Sequence, residues 1–254
     1  MIVLKTKKEI EIMKEGGRIL GKIMRELKKR VKPGVTTKEL DRAAQALIFK
    51  FGAIPAFKGY ENFPATLCTS VNQVIVHGVP SDYKLKTGDI LSLDLGIKYK
   101  GFFTDMALTV PVRDSVSDSF DPEKLRLIRV TKKALKLAIK KARVGNTFGD
   151  IGNTIQRYVE SQGFNIVREL CGHGIGKDLH EEPQVLNYGK RHKGKEIKEG
   201  MVFCIEPMVT VGDWQIKKSP DGFGWETRDG SLSCHFEHTI AIIRGGAEIL
   251  TKIK

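Results

Sequence analysis

The sequence LDLGIKYKGFFTDMALTV, residues 93–110, reads as a buried β-hairpin that carries two acids, Asp94 and Asp105, among apolar neighbours. Burying an unpaired carboxylate costs several kcal/mol or forces it to take up a proton. Two acids in such a hairpin therefore indicate a charged partner that both of them face.

The spacing of the two acids predicts how the hairpin pairs. They are eleven residues apart, so a turn centred between Tyr99 and Lys100 sets Asp94 directly opposite Asp105, with Cβ atoms about 4.5–5.5 Å apart. A slip of one residue would point them to opposite faces. Gly101 favours a bulge at the turn, so we expect either the unslipped register or a second irregularity that restores the common face.

Length and composition limit the class of protein. The 254 residues fit one large domain or two closely packed halves. No apolar run approaches the ~20 residues that span a bilayer, and the start of the chain lacks the apolar core and cleavage site of a secretion signal. The four cysteines form no C-x-x-C unit. We therefore expect a cytoplasmic protein with free thiols and no membrane partner.

The net charge of +13 leaves two interpretations open. Such a charge can favour an acidic partner such as RNA or the ribosome surface. The basic residues are spread over predicted helix faces, however, and they are not interleaved with aromatic residues as in common RNA-binding modules. A solvated surface is the simpler interpretation, a basic patch that faces the ribosome is the alternative, and no specific nucleic-acid site is expected.

Signals for secondary structure occur twice in the same order. In the first half, capping boxes begin helices at Thr6 and Thr36, Gly52 ends the second helix, and strand-like segments follow. In the second half, a long helix is closed by Gly145, and Thr147 opens the next one. The shared order predicts a repeat of about 110 residues, too long for a solenoid unit.

The acids of the two halves align as well. TGDILSLDLG aligns with EGMVFCIEPM, which places Glu206 where Asp94 stands, and FTDMALTV aligns with HFEHTIAI, which places Glu237 where Asp105 stands. We expect one α+β domain over the whole chain, with two similar halves packed about a pseudo-twofold axis. Their bounds are about residues 5–112 and 120–252. Such an axis can bring both acid pairs to one central place.

Four carboxylates at one apolar place predict a metal centre. They would repel one another, and their pKa values would rise, unless cations compensated. Oxygen-rich sites with few imidazoles suit Co, Mn, Fe or Zn, and the ions of two-metal sites lie about 3.5–4 Å apart. The sequence therefore predicts two divalent ions per chain, and their identity stays open.

His173 in CGHGIGKDLHEEP is a fifth candidate ligand. Gly172, Gly174 and Gly176 predict a tightly turning loop around it. Two other motifs do not fit this segment. The glycine spacing is not that of a dinucleotide-binding loop, and HEEP lacks the second histidine of an H-E-x-x-H zinc helix.

Five motifs in a fixed order carry a resemblance to a known family. They are HGVP (77–80), LSLDLG with FTDMALT, GHGIG followed by HEEP, CIEPM, and FEHT. In this order they resemble the type I methionine aminopeptidases of the bacterial kind, over roughly residues 5–252. The resemblance implies a monomer with the pita-bread fold, in which two halves form a central curved antiparallel sheet flanked by helices. It also implies removal of the N-terminal methionine from nascent polypeptides whose second residue is small.

The resemblance implies a ligand role for each matching acid and for one histidine. Asp105 and Glu237 would bridge the metals, Asp94 would complete one ion, and His173 with Glu206 would complete the other. The metal-bridging water would then attack the first peptide bond.

Catalytic and substrate-holding roles are implied in the same way. Glu206 would assist deprotonation of the water, while His77 and His180 would hold the substrate and stabilise the tetrahedral intermediate. These roles agree with general chemistry, because a bound divalent ion lowers the pKa of water and an imidazole can donate to a developing oxyanion.

A pocket for one methionine side chain needs aromatic and sulfur-containing walls. Candidates are Tyr60 and Phe63 in KGYENFP, Cys68 in LCTS, and Trp225 in GFGWETRDGS, with ordinary core or loop packing as the alternative for each. Two residues depart from the pattern of the bacterial enzymes. Phe57 stands where a smaller residue is common and Leu179 stands where Phe is common, so bulk is exchanged between the walls.

Two other functions remain as alternatives. A proline-directed relative of the same fold, aminopeptidase P or prolidase, normally carries a large extra N-terminal domain. A non-catalytic relative that binds RNA or proteins would have lost metal ligands, whereas all five candidate ligands are present in this sequence.

Overall fold

The computed structural model describes residues 2–115 and 119–253 as an α+β fold. The helices are α1 (Lys7–Arg30), α2 (Thr37–Lys50), α3 (Pro122–Lys141) and α4 (Phe148–Ser161), and a 3₁₀ turn spans Tyr60–Asn62. None of the helices formed by the described residues has the length and hydropathy needed to cross a membrane.

The helix ends lie where the sequence predicts them. The Thr6, Thr36 and Thr147 side chains each accept a backbone N–H from the residue three positions on, whose carboxylate returns the bond to the threonine N–H. Gly52 and Gly145 follow α2 and α3 with φ angles of 68° and 85°, the left-handed conformation that glycine adopts easily. The predicted capping boxes and closing glycines are therefore confirmed.

Fifteen strands are present in the described residues, and each pairs antiparallel. They are β1 (Ile54–Pro55), β2 (Cys68–Val71), β3 (Val74–Val76), β4 (Ile90–Tyr99), β5 (Phe102–Pro111), β6 (Asn165–Ile166), β7 (Cys171–Gly174), β8 (Glu181–Leu186), β9 (Val202–Ile205), β10 (Met208–Thr210), β11 (Ile216–Lys218), β12 (Trp225–Thr227), β13 (Ser233–His235), β14 (His238–Ile243) and β15 (Gly246–Ile249). Strand β4 pairs with β1, β2 and β5 in one sheet, and a second sheet has the order β15-β14-β9-β7-β8.

The hairpin of β4 and β5 forms with a register that differs from the predicted one. Asp94 lies opposite Ala107, Asp105 lies opposite Gly96, and the ten residue pairs run without a bulge. The two-residue turn is Lys100-Gly101, with φ angles of 47° and 86°. The prediction of directly opposed acids, and that of a bulge at Gly101, were therefore wrong.

The physical reason is the position of the turn. Its centre lies one residue later than predicted, and this moves the pairing by two residues. Because side chains alternate with a period of two, a two-residue shift keeps Asp94 and Asp105 on one face as diagonal neighbours. The two acids therefore share a face, as expected, and the strands need no irregularity to achieve it.

The two larger sheets meet beside this hairpin. The Thr239 side chain on β14 accepts the Asp105 N–H at 2.9 Å and donates to the Asp105 carbonyl at 2.7 Å. The Glu237 N–H donates to the Ala107 carbonyl at 2.9 Å. These bonds join the two larger of the four antiparallel sheets in the described residues, and they carry Glu237 to the acidic face of β4 and β5.

Candidate active site

Three acids from different segments of the chain converge at the junction of the two larger sheets. Asp94 lies on β4, Asp105 on β5, and Glu237 between β13 and β14. One carboxylate oxygen of each lies within 4.8 Å of the others. All three residues are buried, with exposed fractions of 7%, 4% and 2%.

One oxygen of each of these three carboxylates lacks the hydrogen-bond donor that a buried acid normally has. Among the described residues, none makes a hydrogen bond to Asp94 Oδ1, Asp105 Oδ1 or Glu237 Oε1. Burial raises the pKa of Asp105 to about 7 and that of Glu206 to about 8. Unpartnered carboxylate oxygens that repel one another fit a site for divalent cations.

His173 on β7 presents a nitrogen to the acids. Its Nδ1 lies 3.0 Å from the Gly174 carbonyl, and because a carbonyl only accepts, Nδ1 carries the hydrogen. Nε2 therefore keeps its lone pair, and it lies 3.7 Å from Glu206 Oε1. Burial lowers the pKa of His173 to about 3, so the ring is neutral at pH 7, as metal ligation requires.

The glycines around His173 do not have the predicted role. Gly172 and Gly174 lie in strand β7, Gly176 follows it, and none of the three has a positive φ. A Cβ at Gly172 would lie 2.4 Å from the Cys204 carbonyl oxygen, and one at Gly174 would lie 2.1 Å from that of Glu182. The predicted tight loop was wrong, because these glycines permit close approach of neighbouring backbone rather than a turn.

His77, from the first half of the chain, and His180, from the second half, line the same cavity. His77 follows β3 with a φ of 58°, and burial lowers its pKa to about 4. His180 precedes β8, its Nδ1 lies 2.8 Å from the Tyr60 hydroxyl, and its ring meets that of His173 edge-on at 4.3 Å. Burial lowers the pKa of His180 as well, so both rings are neutral at pH 7.

A cavity of about 730 Å³ joins these residues. Every residue predicted from the sequence for the site lines it: Tyr60, Phe63, Cys68, His77, Asp94, Asp105, His173, His180, Glu206, Trp225 and Glu237. Phe57 and Leu179, the two departures from the bacterial pattern, line it too. A Cβ at Gly96 would lie 2.7 Å from the Phe57 ring, so the absence of a side chain at that position makes room for Phe57.

Sequence reasoning missed several residues at or beside the site, above all His235, which lies next to Glu206. It is 1% exposed, its Nε2 lies 3.5 Å from Glu206 Oε2, and none of the described residues makes a hydrogen bond to either ring nitrogen. Its position two residues before Glu237 in an extended segment was an available signal, because alternate residues of such a segment share a face. Phe223 and Met208 line the cavity itself and carried no such signal.

The acids predict how stability depends on pH in the metal-free protein. Burial, and then the charge of neighbouring acids, raises the pKa of Asp94 and Glu237 well above ordinary values, and burial raises that of Glu206 to about 8. The folded protein then holds protons at pH 7 that the unfolded chain has lost. The stability that these bound protons contribute is lost as the pH rises through the folded pKa. The free energy of unfolding then falls by about 1.4 kcal/mol per pH unit for each proton. His77 and His173 add nothing above pH 7, because they are neutral there in both states.

We therefore expect the free energy of unfolding to fall as the pH rises from about 7 to about 9 in chelator. Urea unfolding at several pH values measures it. With saturating Mn²⁺ the fall is expected to vanish or reverse, because metal binding displaces the same protons. Rising stability of the chelated protein over this range would contradict the expectation.

Comparison with known proteins decides the family. The model of metallopeptidase family M24 matches residues 11–244. Over 254 residues the chain is 47% identical to the methionine aminopeptidase of Clostridium perfringens, and the match covers 100% of both chains. The chain belongs to the methionine aminopeptidases of family M24.

Solved structures agree with this membership and confirm the α+β pita-bread fold. The methionine aminopeptidase of Thermotoga maritima matches with a TM-score of 0.95 at 43% identity, covering 99% of this chain and 100% of that chain. The prolidase of Pyrococcus horikoshii matches with a TM-score of 0.78 at 24% identity, covering 100% of this chain and 65% of that chain. Likeness to the prolidase shows the shared fold alone, whereas likeness to the methionine aminopeptidases covers the whole chain.

Proposed function

We propose that the protein hydrolyses the first peptide bond of nascent polypeptides and so releases the N-terminal methionine, with a preference for a small second residue. The observation that carries the proposal is the arrangement of four carboxylates and the His173 imidazole in the wall of one cavity. Membership of the methionine aminopeptidases supports the same reaction.

Five residues are assigned as ligands of two divalent ions: Asp94, Asp105, His173, Glu206 and Glu237. Asp105 and Glu237 would contribute to holding both ions in this assignment. Unpartnered oxygens on three of the acids support it, as does the His173 tautomer, which leaves the Nε2 lone pair available. Co, Mn, Fe and Zn all accept such donors, so availability rather than the ligand set selects the native metal.

Three side chains of the site are assigned separate roles in hydrolysis. When bound, the divalent ions would lower the pKa of a water molecule toward neutrality and so supply a nucleophile at pH 7. Glu206 accepts the proton that the attacking water loses. His77 and His180 are neutral and line the cavity, so each can donate an N–H to the substrate carbonyl oxygen as negative charge develops on it.

The methionine side chain is assigned to the aromatic and sulfur-containing part of the cavity. Tyr60, Phe63, Cys68 and Trp225 are its proposed walls. The Phe63 ring is held edge-on against Phe223 at 5.6 Å, so this wall is a packed aromatic pair. Rings and a thiol suit a flexible, polarisable thioether.

We propose that residues 1–254 form one catalytic domain of two halves, about 5–112 and 120–252. The isolated bridges Thr36 to Lys84 and Thr147 to Glu196 support it, because they join corresponding places of the two halves.

A monomer in the cytoplasm is proposed on the family resemblance. The ribosome surface is proposed as a partner on the charge of +13. Co-sedimentation with ribosomes at low and high salt tests that partner, and absence from the pellet at both would remove it.

Activity and metal content, measured on the same purified sample, test the proposed function. We expect methionine release from a Met-Gly peptide that rises with bound divalent ion to two per chain. A Met-Lys peptide controls for the second residue, and an Ala-Pro dipeptide controls for prolidase activity. Cleavage of Ala-Pro without methionine release from Met-Gly would favour the proline-directed alternative. No cleavage of either peptide by the metal-loaded protein would favour the non-catalytic one.

A further inference from the structure

A partly buried ion pair joins the start of the chain to the strand that follows His180. Lys5 Nζ contacts Glu181 Oε2, and the two side chains are only 4% and 13% exposed. The partners are 176 residues apart in the sequence. The Lys5 N–H also donates to the Gly200 carbonyl at 2.7 Å, so the backbone at this position is fixed as well as the side chain.

The Glu181 carboxylate is at the same time bound to the loop before it. Its Oε1 accepts the N–H of Lys177 at 2.8 Å and that of Asp178 at 3.3 Å. Lys5 therefore compensates the charge of a carboxylate that organises residues 177–181. Without this partner, the charge of the partly buried carboxylate would be left uncompensated.

Gly176 shows how closely Lys5 and this loop fit together. A Cβ at Gly176 would lie 2.4 Å from Lys5 Cε, so the absence of a side chain there makes room for the lysine. On the other side, the Phe103 N–H donates to the Gly176 carbonyl at 2.8 Å. The loop is thus held between β5 and the Lys5 segment.

The loop ends at His180, directly before Glu181 in the chain. The His180 ring contacts the Tyr60 hydroxyl and the His173 ring, both in the wall of the cavity. Where the ring lies depends on the path of residues 176–181, because no regular element precedes it after β7.

We propose that Lys5 is a positioning residue for the aminopeptidase reaction. Its ion pair with Glu181 holds the loop of residues 176–180 so that His180 faces the substrate carbonyl. The proposal rests on the proposed role of His180. Lys5 is not among the residues that line the cavity, whereas its partner Glu181 is.

Lys5→Met removes the charge and keeps the length of the side chain. We expect kcat on a Met-Gly peptide to fall about 10- to 100-fold, with KM changed less than about threefold, because small misplacement of a reacting group has effects of this size. Lys5→Arg keeps the charge and is expected to recover part of the loss. Lys14→Met is the matched control, since it removes another lysine–glutamate pair, Lys14 to Glu248 at 2.5 Å, and should leave kcat unchanged. All assays are run well below the unfolding midpoint of each variant.

A double-mutant cycle separates positioning from general damage. In a His180→Ala background, Lys5→Met is expected to have almost no further effect on kcat. Hydrogen exchange gives a readout that needs no turnover: amides of residues 174–186 should exchange faster in Lys5→Met and not in Lys14→Met. An equal loss of kcat in both backgrounds, or unchanged exchange in this segment, overturns the proposal. If the wild type releases no methionine, or His180→Ala leaves kcat unchanged, the proposed function or the role of His180 fails instead, and exchange alone then decides whether Lys5 holds the loop.

Discussion

Replacing Glu206 with glutamine is expected to lower kcat for methionine release from a Met-Gly peptide by about 10³-fold, within the range measured for loss of a general base. The amide has the same shape but cannot accept the proton of the attacking water. It also removes one of four carboxylates from the proposed metal site. Steady-state kinetics at saturating metal, together with bound metal per chain, separate the two effects. A variant that binds two ions and still loses the activity has lost proton transfer.

Folding must be excluded as the cause of such a loss. Because Glu206 carries a raised pKa among other acids, its neutral replacement should leave the metal-free protein as stable as the wild type or more so. Asp89→Asn is the matched control. Asp89 is also buried, but it accepts hydrogen bonds from Asn72, Tyr83 and the Lys86 N–H. Its replacement should cost about 1–3 kcal/mol of stability and leave kcat unchanged. Activity of Glu206→Gln within threefold of wild type would refute the proton-accepting role.

Removal of divalent ions is expected to abolish methionine release completely and to destabilise the folded protein near neutral pH. Without cations, the buried acids face one another with unpartnered oxygens at Asp94, Asp105 and Glu237. Readdition of Co²⁺ or Mn²⁺ should restore activity. At 100 times the dissociation constant, each ion should add about 2.7 kcal/mol to the free energy of unfolding. Calorimetric titration of the chelated protein measures the number of sites.

The proposed ligands predict which variants will bind fewer metal ions in this titration. Asp105→Asn and Glu237→Gln each alter an acid assigned to both ions, so these variants should bind fewer than two ions or bind them far more weakly. Asp89→Asn should bind as the wild type does. Full activity in a sample that holds no measurable divalent ion would contradict the metal-dependent mechanism, whatever the titration shows.

Most of the candidate site was predictable because its residues stand in short motifs. Asp94, Asp105, His173, Glu206 and Glu237 could be named from the order of motifs and the repeated acids. All five line one cavity.

Several features of the site could not be predicted, for different reasons. His235 stands in no motif that sequence reasoning assigned a role, and its nearness to Glu206 becomes visible only when β10 and β13 pair. The register of the hairpin was misread, because a glycine can serve a turn or a bulge and only the choice of Lys100-Gly101 as the turn decides it. For Gly172 and Gly174, the carbonyl oxygens that exclude a Cβ come from Cys204 and Glu182, more than six residues away in the chain.

The sequence by itself determined the local structure and the chemical groups. Capping boxes and helix-ending glycines act between residues a few positions apart, so their signals at Thr36 and Gly52 are complete in the chain. Only the tertiary structure decided which groups meet. The Glu237 N–H reaches the Ala107 carbonyl, and Lys5 reaches Glu181, through packing of whole sheets and segments. Contacts between such distant residues follow from the joint burial of many side chains, which no spacing along the chain specifies.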